Sequence, residues 1–497
     1  MAATFFGHPR GLATLFLTEM WERFTFYGMR AVLILFLVAS VATGGLGLDD
    51  KTAAAIYGLY NGAVYLAALP GGWVADRLIG AQRAVMLGGL LITAGNLLLA
   101  ISTSPAGFYI GLLVIVLGVG LLKPNVSAIV ASLYPEGGAR LDSAFTIFYI
   151  GINIGGALGP FFIPLAQNFF GLRAGFGAGA FFMLLGVAQF VLTRKFLGEA
   201  GMRASTVHAA GSDTRTVPRS KEWLRLWIGV AVLALAVVGA AAGWIPMNAL
   251  QLGHAAAYII AGTGILYFGY YFLFADLTTE ERKRGIVLAV LFVGCALFFS
   301  GFEQAGSSLN LFADRYTDRM IGWLHFEIPT GWFQSLNSIF IVLCAPFFAW
   351  LWIALARRHL NPSAPAKFAL GLMLMGSGFL VMAAAAEIVA HGSKVLPYWL
   401  LMTYLLHTFG ELCLSPVGLS YYTKLAPKRF VGQMMGMWFL ATSLGNLVAG
   451  LIAGEFDANN VPAMPGQYMH IVYITVGVGA VMLIISRPVK KLMGNVE

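Results

Sequence analysis

Glu19, Glu22, Arg23 and Arg30 are four formal charges inside a stretch that is otherwise apolar from about Leu12 to Val38. A helix turns about 100° per residue, which places Glu19, Glu22, Arg23, Phe26, Tyr27 and Arg30 within an arc of roughly 140°. Leu17, Met20, Trp21 and Gly28 fall on the other side. Each charge at the centre of a bilayer helix costs about 2.5–3.5 kcal/mol on the insertion scale. The stripe must therefore face a bundle interior or a wet cavity. It is either a self-neutralising ion pair between helices or a pathway for protons or a charged solute.

Three more charges lie deep in apolar segments. Lys123 precedes Pro124 in Gly118-Val-Gly-Leu-Leu-Lys-Pro-Asn125, Glu303 follows Phe302, and Glu411 follows Gly410. With the first segment they make four carboxylates and three cations, a net −1 that one bound proton neutralises. That balance suggests coupling, in which a carboxylate gives up its proton when a cationic partner approaches or withdraws. A fixed structural network is the alternative. Pro124 and Pro416 cannot donate backbone hydrogen bonds and should bend their helices beside Lys123 and Glu411, as hinges or as static kinks. The run Gly72-Trp-Val-Ala-Asp76-Arg77-Leu-Ile-Gly80 reads as a compact turn whose Asp76 and Arg77 could latch helix ends. His407 shares a face with Glu411 and reads first as a structural histidine. Asp314, Arg315, Asp318, Arg319 and Glu327 read as a solvated loop, with an outer gate as the alternative.

The elements that must position these residues are membrane helices. The chain has 497 residues, 59% hydrophobic and 11% charged, with a mean hydropathy of +0.79. Soluble domains carry about 25% charged residues. Apolar segments fall at about 12–39, 53–76, 84–102, 106–132, 142–168, 174–195, 223–243, 254–274, 285–306, 330–356, 367–390, 397–424, 430–454 and 469–487. The reading is an all-α polytopic membrane protein with 14 spans in the pattern six, two, six. Its parts are an N-terminal six-helix bundle (1–197), a cytoplasmic linker (198–222), two extra helices (223–275) and a C-terminal six-helix bundle (276–497). The charged run Glu280–Arg284 reads as a loop. With the N-terminus inside, 23 of the 31 Lys and Arg fall on the cytoplasmic side, five opposite and three within spans, so both termini are expected to be cytoplasmic. The net charge of +9 then reflects basic cytoplasmic loops rather than nucleic-acid binding.

Gly118-x5-Pro124-x8-Leu133-x-Pro135 recurs as Gly410-x5-Pro416-x8-Leu425-x-Pro427. Such a parallel repeat fits a transporter made of two halves, although Gly and Pro are frequent in membrane helices by chance. Cys295, Cys344 and Cys413 are scattered within spans, which suggests neither a disulfide framework nor a metal site. No cleavable leader is expected, since the first apolar segment is long and charged. No His-Glu-x-x-His run or cofactor motif stands out, so an enzyme is not expected.

Four separated stretches resemble the proton-dependent oligopeptide transporter family of the major facilitator superfamily, in a bacterial-type member. They are Glu19-x-x-Glu22-Arg23-Phe24-x-Phe26-Tyr27-Gly28, Phe148-Tyr-Ile-Gly-Ile-Asn153-Ile-Gly155, Phe302-Glu303-Gln304, and Gly410-Glu411-Leu-Cys-Leu-Ser415-Pro416. The Asp76-Arg77 turn resembles the superfamily loop motif. The resemblance implies a major facilitator fold and a proton-coupled symporter that imports di- and tripeptides by alternating access. It implies that Arg23, Tyr27 and Lys123 hold the peptide carboxylate. Asn153, Asn337 and Glu411 would hold its amino terminus, with Ser415 nearby, and Tyr65 and Trp438 would line side-chain pockets. Proton coupling would fall to Glu19, Glu22, Arg23 and Glu303. Gating pairs would be Arg30 with Glu303 and Lys123 with Glu411. Phe26 replaces a usual tyrosine of the family and Phe299 a usual tryptophan.

A short peptide is a zwitterion, so cations on one half and Glu411 on the other suit its two ends. The implied partners are a di- or tripeptide, protons and the lipid bilayer, with no nucleic acid, no metal and no cofactor. The expected state is a monomer in a bacterial inner membrane. The competing expectation is a proton-coupled transporter of another small solute, such as nitrate, a drug or a modified amino acid.

Overall fold

The structure is a computed structural model that describes residues 4–136, 138–202, 219–244, 248–456 and 460–494. Among these residues the architecture is almost wholly helical. The helices are α1 (Arg10–Val38), α2 (Asp50–Val74), α3 (Ala81–Ile101), α4 (Pro105–Ser132), α5 (Gly138–Phe170), α6 (Ala174–Thr193), α7 (Arg219–Ala241), α8 (Ala249–Phe274), α9 (Thr279–Phe302), α10 (Ser308–Tyr316), α11 (Trp332–Arg357), α12 (Ala364–Ala390), α13 (Tyr398–Leu425), α14 (Val431–Ala453) and α15 (Met464–Leu492). One small hairpin pairs β1 (Met320–Ile321) with β2 (Phe326–Glu327), Met320 opposite Glu327.

Thirteen of the described helical segments are long and apolar enough to cross a membrane, with α9 and α10 forming one of them, Thr279–Tyr316. Helix α1 makes the fourteenth rod expected from sequence. At 29 residues it is long enough to span, and its charges alone set it apart. Most of the sequence-predicted linker, residues 203–218, lies outside the described residues.

One expected loop is helix. Glu280–Arg284 forms the first turns of α9, because Thr278 caps them. The Thr278 hydroxyl accepts from the Glu281 N–H at 3.2 Å, and the Glu281 carboxylate accepts from the Thr278 N–H at 2.9 Å. This reciprocal box satisfies two N–H groups that would otherwise lack partners, which outweighs the reading of the charged run as loop.

The chain divides into two compact units. The first comprises Met1–Val32, Ala42–Leu46 and Ala63–Leu252, and the second Leu33–Val41, Gly47–Gly62 and Gly253–Glu497. In the first, α3 packs closely on α4 and on α6. Helix α5 meets α1 at Gly155, where a side chain would collide with the backbone of Met20 and Phe24. That close approach puts α5 directly behind the charged stripe. In the second, α12 packs on α13 and α15, α9 on α14, and α11 on α13. The α2 backbone at Gly58 and that of α14 at Gly450 are also near contact, since a Cβ on Gly58 would lie 2.9 Å from the Gly450 Cα.

Helix α7 exposes large apolar side chains such as Trp227 and Leu235, and α8 exposes Tyr258 and Leu266 while burying one side at Ile260, Gly264 and Phe268. Only 6% and 17% of their apolar windows are buried. A helix apolar on every face is stable in lipid, where its backbone hydrogen bonds are satisfied internally. The molecule is an integral membrane protein.

Candidate functional site

In the first unit the polar centre is built on one helix. Glu19, Glu22 and Arg23 of α1 are all buried. Arg23 Nε lies 3.2 Å from a Glu19 oxygen and also donates to Glu22. The i,i+4 spacing of Glu19 and Arg23 makes their pairing a local consequence of helix geometry. The Arg23 guanidinium also lies over the rings of Phe26 and Tyr27, at 5.1 and 5.9 Å, and Arg30 lies 5.7 Å from the Tyr27 ring on its other flank.

The pairing is incomplete. Glu19 Oε2, Glu22 Oε1 and Arg23 Nη2 are buried without a hydrogen-bond partner. Buried polar atoms of this kind are rare and invite a chemical role, because each forfeits its hydration. Arg23 Nη2 can donate to an incoming oxyanion, and the two carboxylate oxygens can accept protons.

Three other helices and one turn bring the rest of this unit's candidates. Lys123 on α4 places its ammonium 4.0 Å from the centre of the Tyr65 ring on α2. It is also within electrostatic range of Glu19. Asn153 on α5 is buried, and its amide donates to the Tyr149 carbonyl at 2.9 Å, which leaves its side-chain oxygen as an acceptor. Asp76 and Arg77 lie in a widened turn between α2 and α3, ending at Gly80 with φ of 84°. Both are exposed, and among the described residues neither forms an ion pair.

The second unit assembles its centre from separate helices. Asn337 on α11 donates to Glu411 on α13 at 2.9 Å and to Thr408 at 3.1 Å. Ser415, one turn beyond Glu411, has a hydroxyl with no hydrogen-bond partner. Trp438 on α14 is buried, with ring centres 5.4 Å from Tyr422 and 6.4 Å from Phe299. Glu303 is buried at the break between α9 and α10, where residues 303–306 form a tight turn. Its neighbour Gln304 fixes that turn, donating to the Ser300 carbonyl at 3.1 Å and accepting from Ser308 at 2.8 Å. His407 is buried and packs against the Phe379 ring at 4.9 Å, with its Nε2 lacking a hydrogen-bond partner. Of the expected gating residues, Arg30 and Lys123 belong to the first unit and Glu303 and Glu411 to the second.

Burial sorts the candidates. Glu19, Glu22, Arg23, Arg30 and Glu303 are closed off from solvent, whereas Tyr27, Tyr65, Lys123, Asn337, Glu411 and Ser415 are half-buried. Burial of Glu19, Glu22 and Glu303 suits proton storage and the second set suits contact with a solute, while Arg23, Asn153 and Trp438 are buried solute candidates.

Two participants escape the sequence reading. Thr408 lies three residues before Glu411, so its place on the same helix face was available from spacing. The Asp50–Arg315 pair was not. Arg315, read as part of a solvated loop, holds Asp50 of α2 through two bonds of 2.6 and 2.8 Å. The same segment is braced by Arg319, which bonds the Ile328 carbonyl at 2.7 Å and pairs with Glu327 at 2.9 Å. The stretch is thus an ordered ionic network.

The sequence profile of the POT family matches residues 82–468. The chain is 44% identical to "Peptide transporter YePEPT" of Yersinia enterocolitica subsp. palearctica, over 99% of this chain and 97% of that protein. It is 35% identical to the "Di-/tripeptide transporter" of Lactococcus lactis subsp. cremoris, over 99% and 98%. Among solved structures, a peptide transporter POT in complex with sulfate superposes with a TM-score of 0.89 at 39% identity, covering 99% of this chain and 97% of that one.

Proposed function

Because the chain belongs to the POT family of the major facilitator superfamily, we propose that it is a proton-coupled symporter importing di- and tripeptides by alternating access. The carrying observation is Arg23, buried between Glu19 and Glu22 with Nη2 left without a hydrogen-bond partner. A ligand carboxylate at Nη2 gains a charge-assisted bond while drawing the guanidinium away from its own carboxylates. Those carboxylates then bind a proton more readily. Solute and proton thus favour one another's binding, which is the thermodynamic requirement for symport.

Arg23, Tyr27 and Lys123 read the peptide carboxylate. Asn153, Asn337 and Glu411, with Ser415, read the amino end. Tyr65 and Trp438 shape side-chain pockets, and side chains are selected loosely because recognition rests on the two ends. Glu19, Glu22, Arg23 and Glu303 carry the coupling proton. Arg30, Glu303, Lys123 and Glu411 are the gating charges, and Asp76 with Arg77 serves as a latch in states where partners approach. The protein works as a monomer in a bacterial inner membrane, both termini cytoplasmic, with the proton as coupling ion and no other cofactor. The basic residues of its helix-connecting segments support that orientation.

The test is uptake in proteoliposomes. A pH gradient should drive accumulation of a dipeptide, and a protonophore should abolish it. Robust pH-driven uptake of another solute, with no accumulation of any dipeptide, overturns the proposal in favour of that solute.

A further inference from the structure

Lys367, the fourth residue of α12, is 9% exposed. Among the described residues no carboxylate lies within ion-pair distance of it. Its contact is with the Trp352 ring on α11, whose centre lies 4.4 Å from the ammonium. An ammonium withdrawn from water is costly unless an anion compensates it, and an aromatic face compensates only partly.

Its setting deepens the deficit. The first turn of a helix carries the positive end of the macrodipole, which disfavours a cation there. Ser363, at the N-cap of α12, contributes no side-chain hydrogen bond that would blunt the charge. The segment from Arg357 to Lys367 holds Arg357, Arg358, His359 and Lys367 and no acidic residue. Arg357 and Arg358 are exposed at the end of α11. The connection from α11 to α12 therefore carries basic charge only.

Beneath the charge the surroundings are apolar. Helices α11 and α12 both pack on α13 but scarcely on one another. Phe348 and Trp352 of α11, Leu374 of α12, and Phe409 and Cys413 of α13 pack together as one apolar cluster at the seam between these helices. A cation at the helix ends above an apolar seam is complementary to an anionic headgroup carrying hydrocarbon chains. Helix α11 is itself lipid-facing, with only 11% of its apolar window buried.

We propose that Lys367 and Trp352 form a binding site for the phosphate of an anionic phospholipid whose acyl chains lie against the exposed apolar side chains of α11 beside this cluster. The ammonium bonds the phosphate, Trp352 packs at the headgroup level, and the bound lipid supplies the anion that no described residue provides. The site is separate from the residues assigned to peptide and proton.

The experiment uses the full-length protein in phosphatidylcholine nanodiscs containing a minor fraction of phosphatidylglycerol with brominated acyl chains. The Trp352 component of quenching is isolated by comparison with Trp352→Phe. Brominated phosphatidylglycerol should quench that component at a mole fraction roughly fivefold lower than brominated phosphatidylcholine, the factor expected for one interfacial cation. Lys367→Met, which keeps the stem and removes the charge, should abolish the preference, and Lys367→Arg should retain it, each variant first shown to be folded by its thermal melt. Equal quenching by the two lipids in the unsubstituted protein overturns the proposal, as does a preference that survives Lys367→Met. Loss of the preference on adding inorganic phosphate would assign the site to a soluble anion and overturn the lipid assignment.

Discussion

In α1 the carboxylates of Glu19 and Glu22 take their cation from the same helix, whereas Glu411 on α13 takes its partner from α11, 74 residues away in sequence. The α1 cluster is buried and still contains oxygens and a nitrogen with no hydrogen-bond partner. Asn337 and Glu411 are half-buried, with Thr408 buried beside them. A sealed cluster can hold a charge imbalance that only a proton or a bound ion relieves, because water cannot screen it. A half-open group can exchange its partners for a ligand at little cost. The difference supports the proposed roles of proton storage at Glu19 and Glu22 and ligand exchange at Asn337 and Glu411.

Breaking the sealed cluster should have the largest effect. Arg23→Met leaves two buried carboxylates without their cation, a loss of about 3–5 kcal/mol. It should lower the thermal unfolding midpoint in detergent and abolish pH-driven uptake. Arg23→Lys should fail to restore uptake, since an ammonium lacks the separate Nε and Nη donors on which the arrangement depends.

The open group should respond in affinity rather than stability. Glu411→Gln removes the charge proposed to meet the peptide ammonium, a charge-assisted bond worth about 1.5–3 kcal/mol. Dipeptide binding by calorimetry should weaken by roughly tenfold to a hundredfold, with the unfolding midpoint nearly unchanged. A large stability loss there would erase the distinction between the two centres.

Smaller effects sharpen the comparison. Tyr65→Leu removes the ring against Lys123, worth about 0.5–2 kcal/mol, and should raise KM for dipeptide uptake with little change in kcat. Asp50→Asn breaks the two bonds to Arg315, whose side chains are 17% and 28% exposed. Partial exposure limits the expected loss to about 0.2–1 kcal/mol, visible as a small, salt-sensitive drop in the unfolding midpoint.

Within this comparison the α1 cluster was legible because its members are four residues apart or closer, and helix periodicity alone puts them on one face. The helices were legible because a lipid-facing span must be about 20 apolar residues long. The Glu280–Arg284 turn was misread as loop because its charges hid the capping box that Thr278 and Glu281 form. Arg315 was misread as solvated because its partner, Asp50, lies 265 residues away. No periodicity connects such positions. Thr408 stands between these cases, since spacing placed it beside Glu411 but only the packing of α11 brought Asn337 to both.

The sequence by itself determined that this is a fourteen-helix membrane protein with a charged stripe on α1 and isolated charges at Lys123, Glu303 and Glu411. The cost of putting charge in hydrocarbon is large enough to be read from composition and spacing. Only the tertiary structure decided which of those charges are sealed and which stay open, that Asn337 meets Glu411, that Asp50 meets Arg315, and that Lys367 is buried against Trp352 without a carboxylate. Burial and pairing across helices depend on side-chain packing between different segments, up to 265 residues apart for Asp50 and Arg315, and local helix geometry carries no information about it.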